Sequence, residues 1–182
     1  MPTLILAESS LETIPTELRN HPSVISYCSR NEKKSSETLL DNSWHFAAMK
    51  GIKNEIKRGR PDIIHLTLLA ICNTPLYKNN KIEIDNTILL ELHDMTFEEL
   101  ITKIRPSKIL GFSTTGNKSS FQNTAKIITE DSCIVIGGFQ KGHFNETVLK
   151  QFDDLKSLHN DSLEAHVIAS RILYEYEKTI FI

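Results

Sequence analysis

The second half of the chain alternates short, continuously apolar segments with helical ones, and no other feature limits the possible folds as strongly. Strands are predicted at residues 109–112, 133–136 and 155–158, and helices at 120–128, 146–152 and 162–177. A strand that is apolar along its whole length is buried on both faces, as in parallel sheets covered by helices. The sequence therefore predicts an α/β fold with a mostly parallel sheet and helices on both faces.

The first half reads differently, with one short buried strand followed by helical segments. Up to about residue 80, one strand is predicted at residues 3–7 and helices at 43–57 and 61–72. The alternating part then begins with a strand at 88–92 and a helix at 96–104. Thr96 and Glu99 have the spacing of a capping box, in which the two residues satisfy each other's backbone amides at a helix start. No repeat or Gly/Ser linker divides the chain, so one domain over residues 1–182 is expected.

The composition is that of a globular protein, since 40% of the 182 residues are hydrophobic and 24% are charged. Cys28, Cys72 and Cys133 are widely separated and lack C-x-x-C spacing, which predicts neither disulfides nor a zinc site. The histidines show no ligand spacing either, so no metal is expected. Without a basic leader or an apolar run of about 18 residues, the sequence predicts an unprocessed cytoplasmic protein that does not enter a membrane.

One polar motif stands at the start of the helix predicted at 61–72. Arg58 and Arg60 flank Gly59, and Pro61 and Asp62 follow. Proline suits the first helical position, and a carboxylate in the first turn complements the helix dipole and can orient a neighbouring guanidinium. An arginine fixed in this way is suited to bidentate contact with a phosphate. An ordinary helix start with two solvated arginines is the alternative.

Basic residues collect before this motif. Up to Arg60 the chain has nine Lys or Arg against seven Asp or Glu, whereas the remainder is acidic. Lys50, Lys53 and Lys57 are spaced i, i+3, i+7, which predicts one face of a helix that leads into the arginines. The sequence thus predicts a local track for nucleic-acid phosphates in which Lys53 and Lys57 participate, with a merely solubilising lysine face as the alternative.

Three predicted loops come directly after strands, at residues 113–116, 137–144 and 159–161. Ligands of parallel α/β sheets bind outside the carboxyl ends of the strands, so these loops predict a shared pocket. Gly137, Gly138 and Gly142 allow the backbone to approach a ligand closely, although they could also serve only as tight turns. Neither G-x-x-x-x-G-K-[ST] nor G-x-G-x-x-G occurs, which argues against a phosphate loop or an NAD site.

Several segments, in chain order, carry a resemblance to a known family. They are residues 6–12 (LAESSLE), 14–15 (IP), 21–24 (HPSV), 39–41 (LLD), 45 (H) with 47–49 (AAM), 58–65 (RGRPDIIH), 136–144 (IGGFQKGHF) and 163–165 (LEA). With these segments the chain resembles the pseudouridine N1-specific ribosomal RNA methyltransferases of the SPOUT, or α/β-knot, class. The resemblance covers nearly the whole chain.

The resemblance implies a trefoil knot at the carboxyl end, S-adenosylmethionine bound in the knot, and a homodimer that acts on small-subunit ribosomal RNA. Arg60 resembles the family arginine that contacts the RNA at the catalytic site, with Arg58 assisting, and Asp62 resembles the aspartate that steadies it. The implied cofactor contacts are Phe112, Ser113, Gly137, Gly142, His143, Phe144, Leu158, His159, Asn160, Asp161, Ser162 and Leu163.

The chain departs from the family between Pro75 and Ile88. Family members carry an arginine-rich extension in this interval, whereas only about a dozen residues fill it here. Most of a second RNA-binding surface is therefore expected to be missing around residues 76–88. A non-catalytic RNA-binding factor for ribosome assembly, with the same fold, is the alternative function.

Overall fold

The computed structural model describes residues 1–79 and 95–181, so the strand predicted at 88–92 lies outside the described residues. The strands are β1 (Thr3–Ala7), β2 (Lys108–Lys118), β3 (Ser132–Gly137) and β4 (Asp154–Ser157). The helices are α1 (Pro22–Arg30), α2 (Asn42–Met49), α3 (Pro61–Cys72), α4 (Pro75–Lys78), α5 (Phe97–Ile104), α6 (Phe121–Ala125), α7 (Glu146–Leu149) and α8 (Ala165–Phe181).

The four strands form one parallel sheet in the order β1-β3-β2-β4. The predicted parallel α/β sheet is thus confirmed. Cys133 to Ile136 in the central strand β3 are all buried, as expected for a strand with sheet neighbours on both sides and apolar cover above and below. Burying these four side chains supplies hydrophobic stabilisation to the centre of the sheet.

The chain divides into two compact units, and neither is a continuous stretch. The sheet unit comprises Met1–Ala7, Thr67–Gly137 and His143–Ile182, and the arginine unit comprises Glu8–Leu66 and Gly138–Gly142. In the sheet unit, α8 buries Ala169, Ile172 and Leu173. The arginine unit has a core of its own, formed by Ile14, Leu18, Val24, Cys28, Leu40, Ala48 and Met49.

Strand β2 is longer than predicted and contains the segment expected to be a loop. Phe112 and Asn117 both lie opposite Lys156 of β4, so residues 113–116 form an excursion that returns to the same partner. A Cβ on Gly116 would lie 2.5 Å from the carbonyl oxygen of Leu155, which no other residue could accommodate without a backbone shift. The expected loop is therefore a bulge within a strand.

The helix predicted at 43–57 is wrong in its second half. Helix α2 ends at Met49, and Gly51 and Asn54 then take positive φ values of 84° and 58°, which a right-handed helix excludes. Only a short 3-10 turn, Glu55–Lys57, follows. Lys50, Lys53 and Lys57 consequently do not share one helix face, and the predicted lysine face does not exist.

The other helix predictions differ only in their ends. α3 has its predicted bounds, and Thr96 and Glu99 form the expected capping box before α5. α8 begins at Ala165 instead of residue 162. The residues before it form a loop, in which the Nδ1 atom of His159 accepts a hydrogen bond from the amide of Asp161. None of the helices within residues 1–79 and 95–181 combines the length and the hydropathy of a membrane-spanning segment.

Candidate functional site

Arg60 and Asp62 form a bidentate ion pair at the start of α3. Nε of Arg60 lies 2.8 Å from Oδ1 of Asp62, and Nη2 lies 2.7 Å from Oδ2. The hydrogen bonds from Arg60 hold the pKa of Asp62 below its usual value, so the carboxylate stays ionised. The sequence predicted that Asp62 could orient a guanidinium, and this geometry confirms it.

Arg58 forms a second bidentate pair, with a partner that the sequence did not indicate. Its Nε and Nη2 atoms each lie 2.7 Å from an oxygen of Glu12, and these bonds raise the pKa of Arg58. Between the arginines, Gly59 is buried with a φ of 66°, and a Cβ there would lie 2.7 Å from Cε of Met49. Both guanidinium groups are therefore fixed by carboxylates on a backbone that requires glycine between them.

The two lysines predicted to bind RNA have different surroundings. Lys53 is exposed, and its carbonyl oxygen accepts a 3.4 Å hydrogen bond from Arg58. The Lys57 side chain is only 12% exposed, and its Nζ lies 2.5 Å from Oε2 of Glu8. The same Nζ lies 4.5 Å from the centre of the Phe139 ring. Lys57 thus faces the interior of the arginine unit, whereas Lys53 faces solvent.

The glycine loop, residues 138–142, belongs to the arginine unit. The amide of Ser10 donates a 2.7 Å hydrogen bond to the carbonyl of Gly138, and a Cβ on Gly138 would lie 2.9 Å from Cα of Ser9. Gly142 has a φ of 102°. Gly138 is therefore needed for the close approach of the loop to Ser9, and Gly142 for its positive φ.

Ser10 joins this loop to the arginine motif and was not singled out from the sequence. Its carbonyl accepts a 3.2 Å hydrogen bond from the amide of Arg60, and its hydroxyl donates to the carbonyl of Lys57. Ser10 is 1% exposed, so these bonds form away from bulk water. The sequence offered one indirect signal, because Ser10 lies in the segment 6–12 that carries the resemblance.

In the sheet unit, the predicted cofactor contacts lie where three neighbouring parallel strands end or bulge. Phe112 and Ser113 stand where the bulge leaves β2, Gly137 is the last residue of β3, and Leu158 follows β4. Because β3, β2 and β4 are adjacent and parallel, these points share one edge of the sheet. The three predicted segments therefore begin at the same edge of the sheet.

His143 and Phe144 re-enter the sheet unit after the glycine loop. Phe144 is buried and packs edge to face on Phe152 at 5.1 Å, and Phe152 in turn covers Gly111 of β2. Phe144 is thus fixed within the sheet unit by packing as well as being a predicted contact, and Phe152 is a packing partner that the sequence did not reveal. His143 itself is exposed.

The third loop offers mostly accessible groups. Leu158 and Leu163 are half-buried, whereas His159, Asn160, Asp161 and Ser162 are exposed. The Ser157 hydroxyl donates a 3.1 Å hydrogen bond to the carbonyl of His159, and His159 accepts one from the amide of Asp161. These local bonds give the loop a defined turn beside β4.

Other kinds of chemistry find no support in the part of the chain that the structure describes. No group of three His, Cys, Asp or Glu side chains there could hold a metal ion. Burial raises the pKa of Cys133 to about 12, so its thiol is unsuited to nucleophilic attack.

The matching family model and three similar known proteins all carry the name Nep1. The model of the EMG1/NEP1 methyltransferase family matches residues 4–85 and 82–177. The ribosomal RNA small subunit methyltransferase Nep1 of Staphylothermus marinus is 30% identical over 94% of the chain and 93% of that protein. The protein of the same name from Sulfurisphaera tokodaii is 32% identical over 93% of the chain and 94% of that protein. The crystal structure of Archaeoglobus fulgidus Nep1 bound to S-adenosylhomocysteine matches with a TM-score of 0.78 at 28% identity, and covers 97% of each chain.

Proposed function

The chain belongs to the EMG1/NEP1 methyltransferase family, and from this premise we propose that it methylates small-subunit ribosomal RNA at N1 of a pseudouridine, with S-adenosylmethionine as methyl donor. The observation that carries the proposal is the meeting of three strand ends at one sheet edge, in a fold that matches a relative bound to S-adenosylhomocysteine. That ligand is the product which remains when S-adenosylmethionine has lost its methyl group.

The sheet edge fits S-adenosylmethionine chemically. The cofactor has an adenine, a ribose and a zwitterionic amino-acid end, which are bound by main-chain groups, hydroxyls and apolar surface. The bulge after Phe112 supplies hydroxyls, including that of Ser113, and the turn at 158–163 supplies main-chain groups and half-buried leucines. When bound, the cofactor supplies an electrophilic methyl group on a sulfonium, and the protein mainly has to align donor and acceptor.

Arg60 is assigned to the RNA. Its bidentate pair with Asp62 fixes the plane of the guanidinium, and a fixed guanidinium loses less entropy on binding a phosphate or a base edge. Because the pKa of Asp62 is held low, this carboxylate is a poor acceptor for the N1 proton. Asp62 therefore positions Arg60, and Arg58 with Glu12 extends the same surface.

Further parts of the proposal concern the assembly. The family resemblance implies a carboxyl-terminal knot, a homodimer and a cytoplasmic location. It also implies one methyltransferase domain with a shortened extension around residues 76–88. In support of the shortening, the family model matches the chain in two segments that meet at residues 82–85, where the sequence departs from the family pattern.

Calorimetry with S-adenosylmethionine, followed by methylation of a small-subunit RNA fragment that contains pseudouridine, tests the proposal. Arg60→Ala is expected to keep cofactor binding and to lose methylation. Unchanged methylation in this variant contradicts the role of Arg60. Cofactor binding without turnover on any such fragment would favour the alternative, an assembly factor that retains the fold, and mass-spectrometric mapping of the RNA identifies the nucleotide.

A further inference from the structure

We infer that Lys57 is a positioning residue for the glycine loop, and not a phosphate contact. It holds residues 138–142 in the conformation that cofactor binding requires. The inference rests on the proposed function, because it takes Gly142 as a cofactor contact, as the family resemblance implies.

The Lys57 side chain lies across the glycine loop. Its Nζ lies 4.5 Å from the centre of the Phe139 ring, a distance at which a cation is attracted to the ring face. A Cβ on Gly142 would lie 3.4 Å from Cε of Lys57, so the aliphatic part of the lysine borders the other end of the loop. The Lys57 side chain therefore lies next to both Phe139 and Gly142, at the two ends of the loop.

Glu8 holds the ammonium group in this place. The ion pair is 2.5 Å long, and the side chains of Lys57 and Glu8 are only 12% and 13% exposed. Water therefore screens this pair less than a surface pair, and a lone charge left by removing one partner would be costly. Glu8 also has a φ of 51°, a conformation that is unfavourable for a residue other than glycine. The residue that fixes Lys57 is thus held in an unfavourable backbone conformation.

The backbone around Lys57 ties the loop to the arginine motif. The carbonyl of Lys57 accepts a hydrogen bond from the hydroxyl of Ser10. The amide of Ser10 donates to the carbonyl of Gly138, and the carbonyl of Ser10 accepts from the amide of Arg60. Lys57 also directly precedes Arg58 in the chain. A displacement of the Lys57 side chain would thus remove its contact with Phe139 without breaking the bidentate pair of Arg60 and Asp62.

The test compares two affinities in Lys57→Met, which keeps the aliphatic stem and removes the charge. The Kd for S-adenosylmethionine, measured by calorimetry, is expected to rise about tenfold. Affinity for a small-subunit RNA fragment, and its dependence on salt, should stay as in the wild type. Lys34→Met is the matched control. Lys34 belongs to the same unit, pairs with Glu37, and has a side chain that is 78% exposed. Its replacement should change neither the Kd for cofactor nor the affinity for RNA.

Three further variants separate positioning from a general loss of structure. Lys57→Arg keeps a cation and should restore most of the cofactor affinity. Phe139→Leu removes the ring face and should weaken cofactor binding although the ion pair remains. The double variant Glu8→Gln with Lys57→Met removes both charges, so it keeps the test valid if the single variant fails to fold after losing the ion pair.

The two affinities distinguish a positioning role of Lys57 from a phosphate contact. A phosphate contact would lower RNA affinity and reduce the salt slope by nearly one unit while cofactor affinity stays constant, and this result overturns the inference. Equal cofactor affinity in the wild type and in the double variant also overturns it. A wild-type protein that binds no S-adenosylmethionine is a failure of the proposed function itself, and it is visible before any variant is compared.

Discussion

Gly111→Ala tests whether the aromatic cluster beside β2 is as tightly packed as the structure indicates. A Cβ on Gly111 would lie 2.6 Å from Cε2 and 2.7 Å from Cδ2 of Phe152, well inside van der Waals contact. Gly111 does not have a positive φ, so the substitution adds volume without backbone strain. Phe152 cannot turn away freely, because its ring packs edge to face on Phe144 at 5.1 Å and on Phe97 at 6.1 Å.

Overpacking of this kind costs about 1 to 3 kcal/mol of the free energy of unfolding. For a chain of this length each kcal/mol lowers the Tm by about 2 to 4 °C, so a decrease of about 2 to 12 °C is expected. Urea unfolding followed by circular dichroism measures the free energy, and thermal unfolding measures the Tm.

Phe152→Leu provides the compensating change, since the smaller side chain leaves room for the new methyl group. The double variant should therefore lose less stability than the sum of the two single losses, by more than about 0.5 kcal/mol. Additive losses, or a Gly111→Ala protein as stable as the wild type, would refute the packing argument.

The remaining predictions concern the arginine unit. Asp62→Asn should lower RNA methylation roughly tenfold while the Kd for cofactor stays constant, because only the orientation of Arg60 is lost; equal changes in both would contradict this role. Gly59→Ala should cost about 2 to 4 kcal/mol in urea unfolding, because its φ is positive and Met49 blocks the Cβ, whereas Gly51→Ala, which has a positive φ and open space, should cost less. His45 is fully buried, and its Nδ1 accepts a hydrogen bond from the amide of Asp41. Burial lowers the pKa of His45 below its usual value of 6.5. The folded state therefore resists protonation, so the stability should be complete above pH 6.5 and should decrease as the pH falls below it, because the unfolded chain then binds one more proton. The urea midpoint of the control His65→Gln, which lacks an exposed histidine, should decrease with falling pH as much as that of the wild type. Midpoints that do not change with pH would contradict the assignment.

Much of the sheet could be predicted because its signals are local. The continuous apolar segments at β1 and β3 have no other favourable state than burial on both faces, and their bounds were nearly correct. The end of α2 could not be placed in the same way. The helical spacing of Lys50, Lys53 and Lys57 was compatible with a helix, but Gly51 and Asn54 adopt positive φ values that the pattern of side chains does not record.

The arginine motif shows where sequence and tertiary structure divide. The sequence by itself determined that Pro61 begins a helix and that Asp62, two residues from Arg60, can hold its guanidinium, because both effects act within one turn. Only the tertiary structure decided that Glu12 pairs with Arg58 and that Glu8 draws Lys57 against Phe139. These partners lie more than 40 residues apart, and a charged side chain meets such a partner only where the backbone brings them together. The number of basic residues was thus readable from the sequence, but which of them face solvent and which lie against the interior depends on the fold.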